Sequence, residues 1–162
     1  MADRSRLEIP LWTWVGLYRG LWRRGRGVRE SGAFLLGQRG QGTATVRQIV
    51  YYDDLDPDAL KTGIVRLSGS ALGPLWALCT ERGLEVLADV HTHPGGSGQS
   101  ESDRAHPMVA IRGHISLIVP NFARNAFDLA GVGHYRFEGN KRWYDAGAPR
   151  LRFLSIHFEV TR

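Results

Sequence analysis

The chain has 162 residues, 43% hydrophobic and 23% charged, and 21 Lys and Arg against 16 Asp and Glu give it a net charge of +5. That length and mix describe a single globular domain over residues 1–162, able to bury about two-thirds of its unfolded surface without a metal to fold it. One cysteine, an N-terminus without an apolar core and no apolar run near the ~20 residues of a bilayer span exclude a disulfide framework, secretion and membrane insertion, so a cytoplasmic protein is expected.

Pro10 suits the first turn of a helix, and Leu11, Trp14, Val15, Tyr18 and Trp22 then recur at helical spacing, which predicts a helix ending near Gly25–Gly27. Its arginines, Arg19, Arg23, Arg24, Arg26 and Arg29, read as a solvated face or a patch that steers an acidic protein partner. The basic residues are otherwise scattered singly, so no nucleic-acid footprint is expected. Residues 33–38 read as a buried strand, 43–52 as a second strand, and 53–61 as a turn-rich connection containing Pro57. The alternation of 62–67 predicts a short strand. Residues 70–82 form an amphipathic helix with Leu72, Leu75, Trp76 and Cys79 on one side, stopped by Gly83. Cys79 is expected in the core as a small hydrophobe. Strands are predicted at 84–90, 115–119, 133–137 and 151–160, and a short helix opens near Ser100. The expected class is mixed α/β: one central sheet flanked by two main helices, with a short helix after a glycine-rich loop.

That loop belongs to the segment with the clearest chemistry, Asp89-Val90-His91-Thr92-His93-Pro94-Gly95-Gly96-Ser97-Gly98-Gln99-Ser100-Glu101-Ser102-Asp103. Residues two apart on a strand face the same way, so His91 and His93 present two imidazoles side by side. Pro94 ends the strand, the glycines are expected to let the chain turn back, and Ser100 is a good N-cap. Asp103 then lies one turn into a helix and faces the histidines. Two His and one carboxylate leave a fourth position for water, which is the arrangement of a catalytic zinc site and not of a closed structural one. Asp89, two residues before His91, is a candidate to orient that imidazole. His106, His114, His134 and His157 lack ligand-like spacing and are expected to be surface or structural residues, with His106 also a candidate neighbour of the site.

The segment resembles the signature of the JAMM/MPN+ (Prok-JAB-type) zinc metalloproteases, H-S/T-H-P followed by S-x-x-D. The family's upstream pattern E-x-x-G-x-L-x-G is matched at Glu30, Leu35 and Gly37, and the element order is that of an MPN/JAB-like domain. Two positions depart from the pattern. Ala33 stands where Gly is typical, and the loop before Ser100 is one residue short. Without that gap Arg104 would fall in the ligand position, so Asp103 is retained as the ligand.

The resemblance implies one Zn2+ held by His91, His93 and Asp103 with water as fourth ligand, Glu30 as general base, and Ser100 as the hydroxyl that holds the oxyanion. It further implies hydrolysis of the amide bond after the C-terminal glycines of a ubiquitin-like protein. That reaction would serve precursor processing, removal from targets, or release of a sulfur-carrier protein from cysteine. Residues 62–67 are the candidate edge for the glycine-rich tail. The alternatives are an inactive MPN scaffold, which would lack a ligand or the glutamate, and a basic nucleic-acid binder or nuclease, for which no reader motif is present.

Overall fold

The computed structural model describes residues 6–159. In chain order these form β1 (Arg6–Pro10), α1 (Leu11–Gly25), β2 (Gly32–Arg39), β3 (Thr43–Tyr51), the single-turn α2 (Tyr52–Leu55), α3 (Leu72–Arg82), β4 (Glu85–Thr92), α4 (Glu101–Ala105), β5 (Ile115–Val119), β6 (Gly133–Gly139), β7 (Arg142–Asp145), β8 (Arg150–Arg152) and β9 (Ser155–Phe158). All nine strands join one mixed sheet in the order β7-β6-β5-β4-β2-β3-β1-β9-β8. β1 runs parallel to β3 and β4 parallel to β5; the other pairings are antiparallel. Among the described residues no helix is long and apolar enough to cross a membrane.

The sheet is covered on both faces, and β2 shows it most directly. Gly32 to Gly37 are all buried. Ala33 and Leu35 pack on the α1 side with Trp14, Leu17, Tyr18 and Leu21. Phe34 and Leu36 pack on the α3 side with Leu75, Cys79, Tyr52 and Leu60. A strand that alternates between two cores reads as a continuous apolar run, as this one does. Gly37 sits at a register shift, where an added Cβ would meet the Thr45 carbonyl oxygen at 2.0 Å, so only glycine fits. α3 ends on Gly83 in the left-handed conformation, whose N–H returns to the last helical turn, as the sequence predicts. Arg19, Arg23 and Arg26 of the basic cluster are exposed. Arg24 instead bridges to Asp53 and Asp54 and stacks 3.9 Å from the Tyr51 ring centre.

Four elements differ from the sequence reading. Residues 62–67 are not a strand. Gly63 turns the chain at φ +86, and the N–H groups of Val65 and Arg66 go to the Glu30 carboxylate and the Ala59 carbonyl, leaving no ladder to join. Residues 151–160 are not one strand either. A two-residue turn at Phe153-Leu154 folds Arg150–Arg152 back on Ser155–Phe158, and Val160 lies outside the described residues. β1 and β7 have no counterpart in the sequence reading; both are short, and β1 owes its pairing to chain far away in sequence while β7 folds back on β6 in a tight hairpin.

Candidate metal centre

β4 lies between β2 and β5, and it brings His91, next to its last residue, and His93, one residue past its end, to one end of the sheet. His91 pairs with Gly32 of β2, which places Glu30 just beyond the same end of the sheet. Thr92 points away from the histidines and is fully buried. Its hydroxyl accepts the Ser31 N–H at 3.0 Å, its own N–H donates to the Ser31 carbonyl at 2.9 Å, and Ser31 Oγ donates to the Leu21 carbonyl at 2.8 Å. The residue between the two histidines therefore ties their strand to the residue after Glu30 and to α1. The H-T-H spacing hides this role, because a Thr on the opposite face looks like an ordinary strand residue.

Asp103 arrives from the other side on α4. Ser100 is the N-cap, with Oγ accepting the Asp103 N–H at 3.1 Å and Asp103 Oδ2 accepting the Ser100 N–H at 2.7 Å. This reciprocal pair is a capping box with Asp in the usual place of Glu. The cap holds the Asp103 carboxylate in one orientation, and that orientation faces the imidazoles. His91 Nε2 lies 3.3 Å from Asp103 Oδ1, His93 Nε2 lies 3.2 Å from Oδ2, and the two Nε2 atoms are 3.0 Å apart. Ligand atoms bonded to one tetrahedral ion at 2.0–2.1 Å stand about 3.3 Å from each other. Two nitrogens and one carboxylate this close together fit a divalent metal, and among the described residues this is the group of ligand-type side chains that converges.

The electrostatics agree with that fit. Burial depresses the His91 pKa, but the bond and charge of Asp103, with the charges of Asp89 and Glu30, outweigh it and raise it on balance. Burial pushes the Asp103 pKa up, yet its bonds to His91, His93 and Ser100 hold the carboxyl well below the usual range. The group is thus a carboxylate committed to two imidazoles.

Glu30 is half-buried beside this cluster without joining it. Its N–H donates to the Gly63 carbonyl at 3.0 Å, and its Oε2 accepts the Val65 N–H at 3.2 Å. One carboxylate oxygen is thereby anchored by the 62–67 segment, and Oε1 has no part in that anchor. Ser100 is exposed, and because its oxygen accepts from Asp103, its O–H is free to donate outward. Asp89 does not orient His91 as expected. It is buried and accepts from His114 Nε2 at 2.6 Å and Ser116 Oγ at 3.0 Å, a closed polar knot between β4 and β5. His106 is exposed and its N–H closes α4 on the Ser102 carbonyl. His114, His134 and His157 are buried.

Residues from the C-terminal part of the sheet close the loop between Pro94 and Ser100. Tyr135 on β6 donates its hydroxyl to the Ser97 carbonyl at 2.8 Å, the Asn121 N–H donates to Gly95, and Trp143 Nε1 on β7 donates to the Arg104 carbonyl at 3.2 Å.

No protein-family model matches the chain. A stretch of 77 residues is 44% identical to a protein of Sinorhizobium fredii named "Probable metalloprotease y4jG"; it covers 47% of this chain and 48% of that one, so the chain spans about half the length of the curated relative it matches. Two solved structures share the fold. One is protein DSY2949 from Desulfitobacterium hafniense, with a TM-score of 0.60 at 15% identity over 85% of this chain and 87% of that one. The other is a protein from Salinibacter ruber, with a TM-score of 0.53 at 16% identity over 81% and 84%. The relative is named a metalloprotease, and the donor set of this chain fits a divalent metal.

Proposed function

We propose that this chain is a single MPN/JAB-like domain acting as a JAMM-type zinc peptidase, in which His91, His93 and Asp103 hold the ion. The observation that carries the reading is the convergence of two imidazole nitrogens 3.0 Å apart on one carboxylate, whose two oxygens lie 3.3 and 3.2 Å from them and which is held by its own helix cap. When bound, zinc supplies Lewis acidity and a water whose pKa falls towards neutrality.

The rest is done by side chains. Glu30, anchored through Oε2 by Val65, takes up a proton at Oε1 as the water attacks the scissile carbonyl, and returns it to the departing amine. Ser100 donates its O–H to the oxygen of that carbonyl as negative charge builds on it. Thr92 and Ser31 keep base and ligands at a constant separation, and the buried sheet end excludes water from one side.

The substrate class is the amide bond after the C-terminal glycines of a ubiquitin-like protein, in a precursor, on a target, or on the cysteine carried by a sulfur-carrier protein. The test is incubation of zinc-loaded protein with a candidate precursor extended beyond Gly-Gly, followed by intact mass, together with Glu30→Gln. We expect a mass loss at the glycine bond for the wild type. Glu30→Gln should bind one zinc and turn over at least 100-fold more slowly, as befits loss of a general base. A variant retaining most of its activity would remove Glu30 from the mechanism, and a chain that folds without binding zinc would leave an inactive scaffold.

A further inference from the structure

The loop that carries Asp103 to the histidines is built from residues that do not hold it. Gly95, Gly96 and Gly98 have no left-handed φ, and a Cβ at any of the three would meet nothing within 4 Å. Glycine is therefore required neither by the turn nor by space, and each adds backbone freedom that must be lost for Asp103 to stay in place. α4 has only five residues, too few to hold itself.

The Asn121 N–H holds the start of the loop at Gly95; what fixes its middle and far end lies some 40 residues on, in the β6–β7 hairpin. Tyr135 donates to the Ser97 carbonyl at 2.8 Å, midway between Pro94 and Ser100. Gly133 lies directly beneath: a Cβ there would meet the Ser97 carbonyl oxygen at 2.5 Å and the Ser97 Cβ at 3.2 Å. Its lack of a side chain is what lets the loop lie down on β6. Trp143 of β7 takes the far end by donating to the Arg104 carbonyl, one residue past Asp103.

We infer that Tyr135, Gly133 and Trp143 are positioning residues for the metal centre, acting through Asp103: the hairpin completes a ligand set of which β4 and the residue just past its end supply two members ready-made. This rests on the zinc reading above. The His pair is placed by its strand, whereas the cap fixes the carboxylate only relative to its own five-residue helix, so the hairpin should govern affinity for the ion through the placement of that carboxylate alone.

The experiment measures Zn2+ affinity by competition with a chromophoric chelator, and the visible spectrum of the Co2+-substituted protein, for wild type, Tyr135→Phe, Gly133→Ala and Asp103→Ala, and for Tyr135→Phe combined with Asp103→Ala. Tyr135→Phe should weaken Zn2+ binding about tenfold and reduce the intensity of the tetrahedral Co2+ bands, with far-UV dichroism unchanged. Gly133→Ala should lose more, because backbone must move; if it fails to fold, Tyr135→Phe carries the test. In the Asp103→Ala background Tyr135→Phe should have no further effect, since its route to the ion is gone. Tyr135→Phe binding within twofold of wild type, or an equal loss with and without Asp103, overturns the inference while leaving the zinc reading intact. Wild-type protein that binds no Zn2+ overturns both.

Discussion

Among single residues, His134 shows how burial sets the acid tolerance of this protein. It sits on β6 at 1% exposure with its ring edge-on to Phe158, centroids 5.3 Å apart. Burial pushes its pKa down to about 4, against weaker upward pulls from the Gly147 backbone and Asp145. The unfolded chain holds the proton with a pKa of about 6.5. Between those two values the unfolded state binds more protons than the native one, so stability falls as pH drops from about 6.5 towards 4, and the loss between pH 7 and pH 5 is about 2 kcal/mol. His134→Gln cannot take up the proton. Urea unfolding at both pH values should therefore show a drop in wild type that exceeds the variant's by roughly that amount. Equal drops in the two proteins would mean that His134 takes up no extra proton on unfolding. Thr92 makes the complementary point for neutral groups, because a buried hydroxyl that both accepts and neighbours a donated backbone bond ties two strands without any charge.

At the level of elements, the β8–β9 hairpin carries a costly turn. Phe153 and Leu154 occupy its two central positions at φ +51 and +40, the region that type I′ turns demand and that Asn-Gly fills at low cost. Both side chains are also largely exposed, at 90% and 75%. Replacing the pair by Phe153→Asn with Leu154→Gly should raise stability by about 1–2 kcal/mol, seen as an increase in Tm of about 2–4 °C per kcal/mol. An unchanged or lower Tm would show that the turn is not strained. The same pair explains why the hairpin was not legible: Phe-Leu carries no turn signal, and its alternation with Ile156 and Phe158 reads as one long strand. Elements whose signal is local were legible, as with α3 ending on Gly83 and β5 as an apolar run before Pro120. The candidate site divides along the same line. His91 and His93 follow from period two, and Ser100 with Asp103 from capping chemistry. The anchoring of Glu30 by Val65 and of Ser97 by Tyr135 spans 35 and 38 residues and leaves no mark in either local stretch.

Taken as a whole, the molecule separates the work of folding from the work of the site. Two apolar cores lie on opposite faces of the sheet, one under α1 and one under α3, while His91 is buried at the end of β4 and His93 and Asp103 are partly exposed. The candidate ligands stand at the end of β4 and on a five-residue helix, so an ion there would add stability without being the reason the chain folds. Binding to the native state alone stabilises by RT ln(1 + [L]/Kd), about 4 kcal/mol at 1,000 times the dissociation constant, which for a domain of this size is a rise in Tm of roughly 8–16 °C. We expect that rise on adding Zn2+ to the chelator-treated protein, its near-absence in Asp103→Ala, and an unchanged far-UV dichroism at 25 °C with or without the ion. The last point separates two kinds of site. A closed structural zinc is part of the fold, and its removal unfolds the chain. A catalytic one is mounted on a fold that stands by itself, so collapse of the dichroism on chelation at 25 °C would assign His91, His93 and Asp103 to holding the structure together and would leave Glu30 with no reaction to serve.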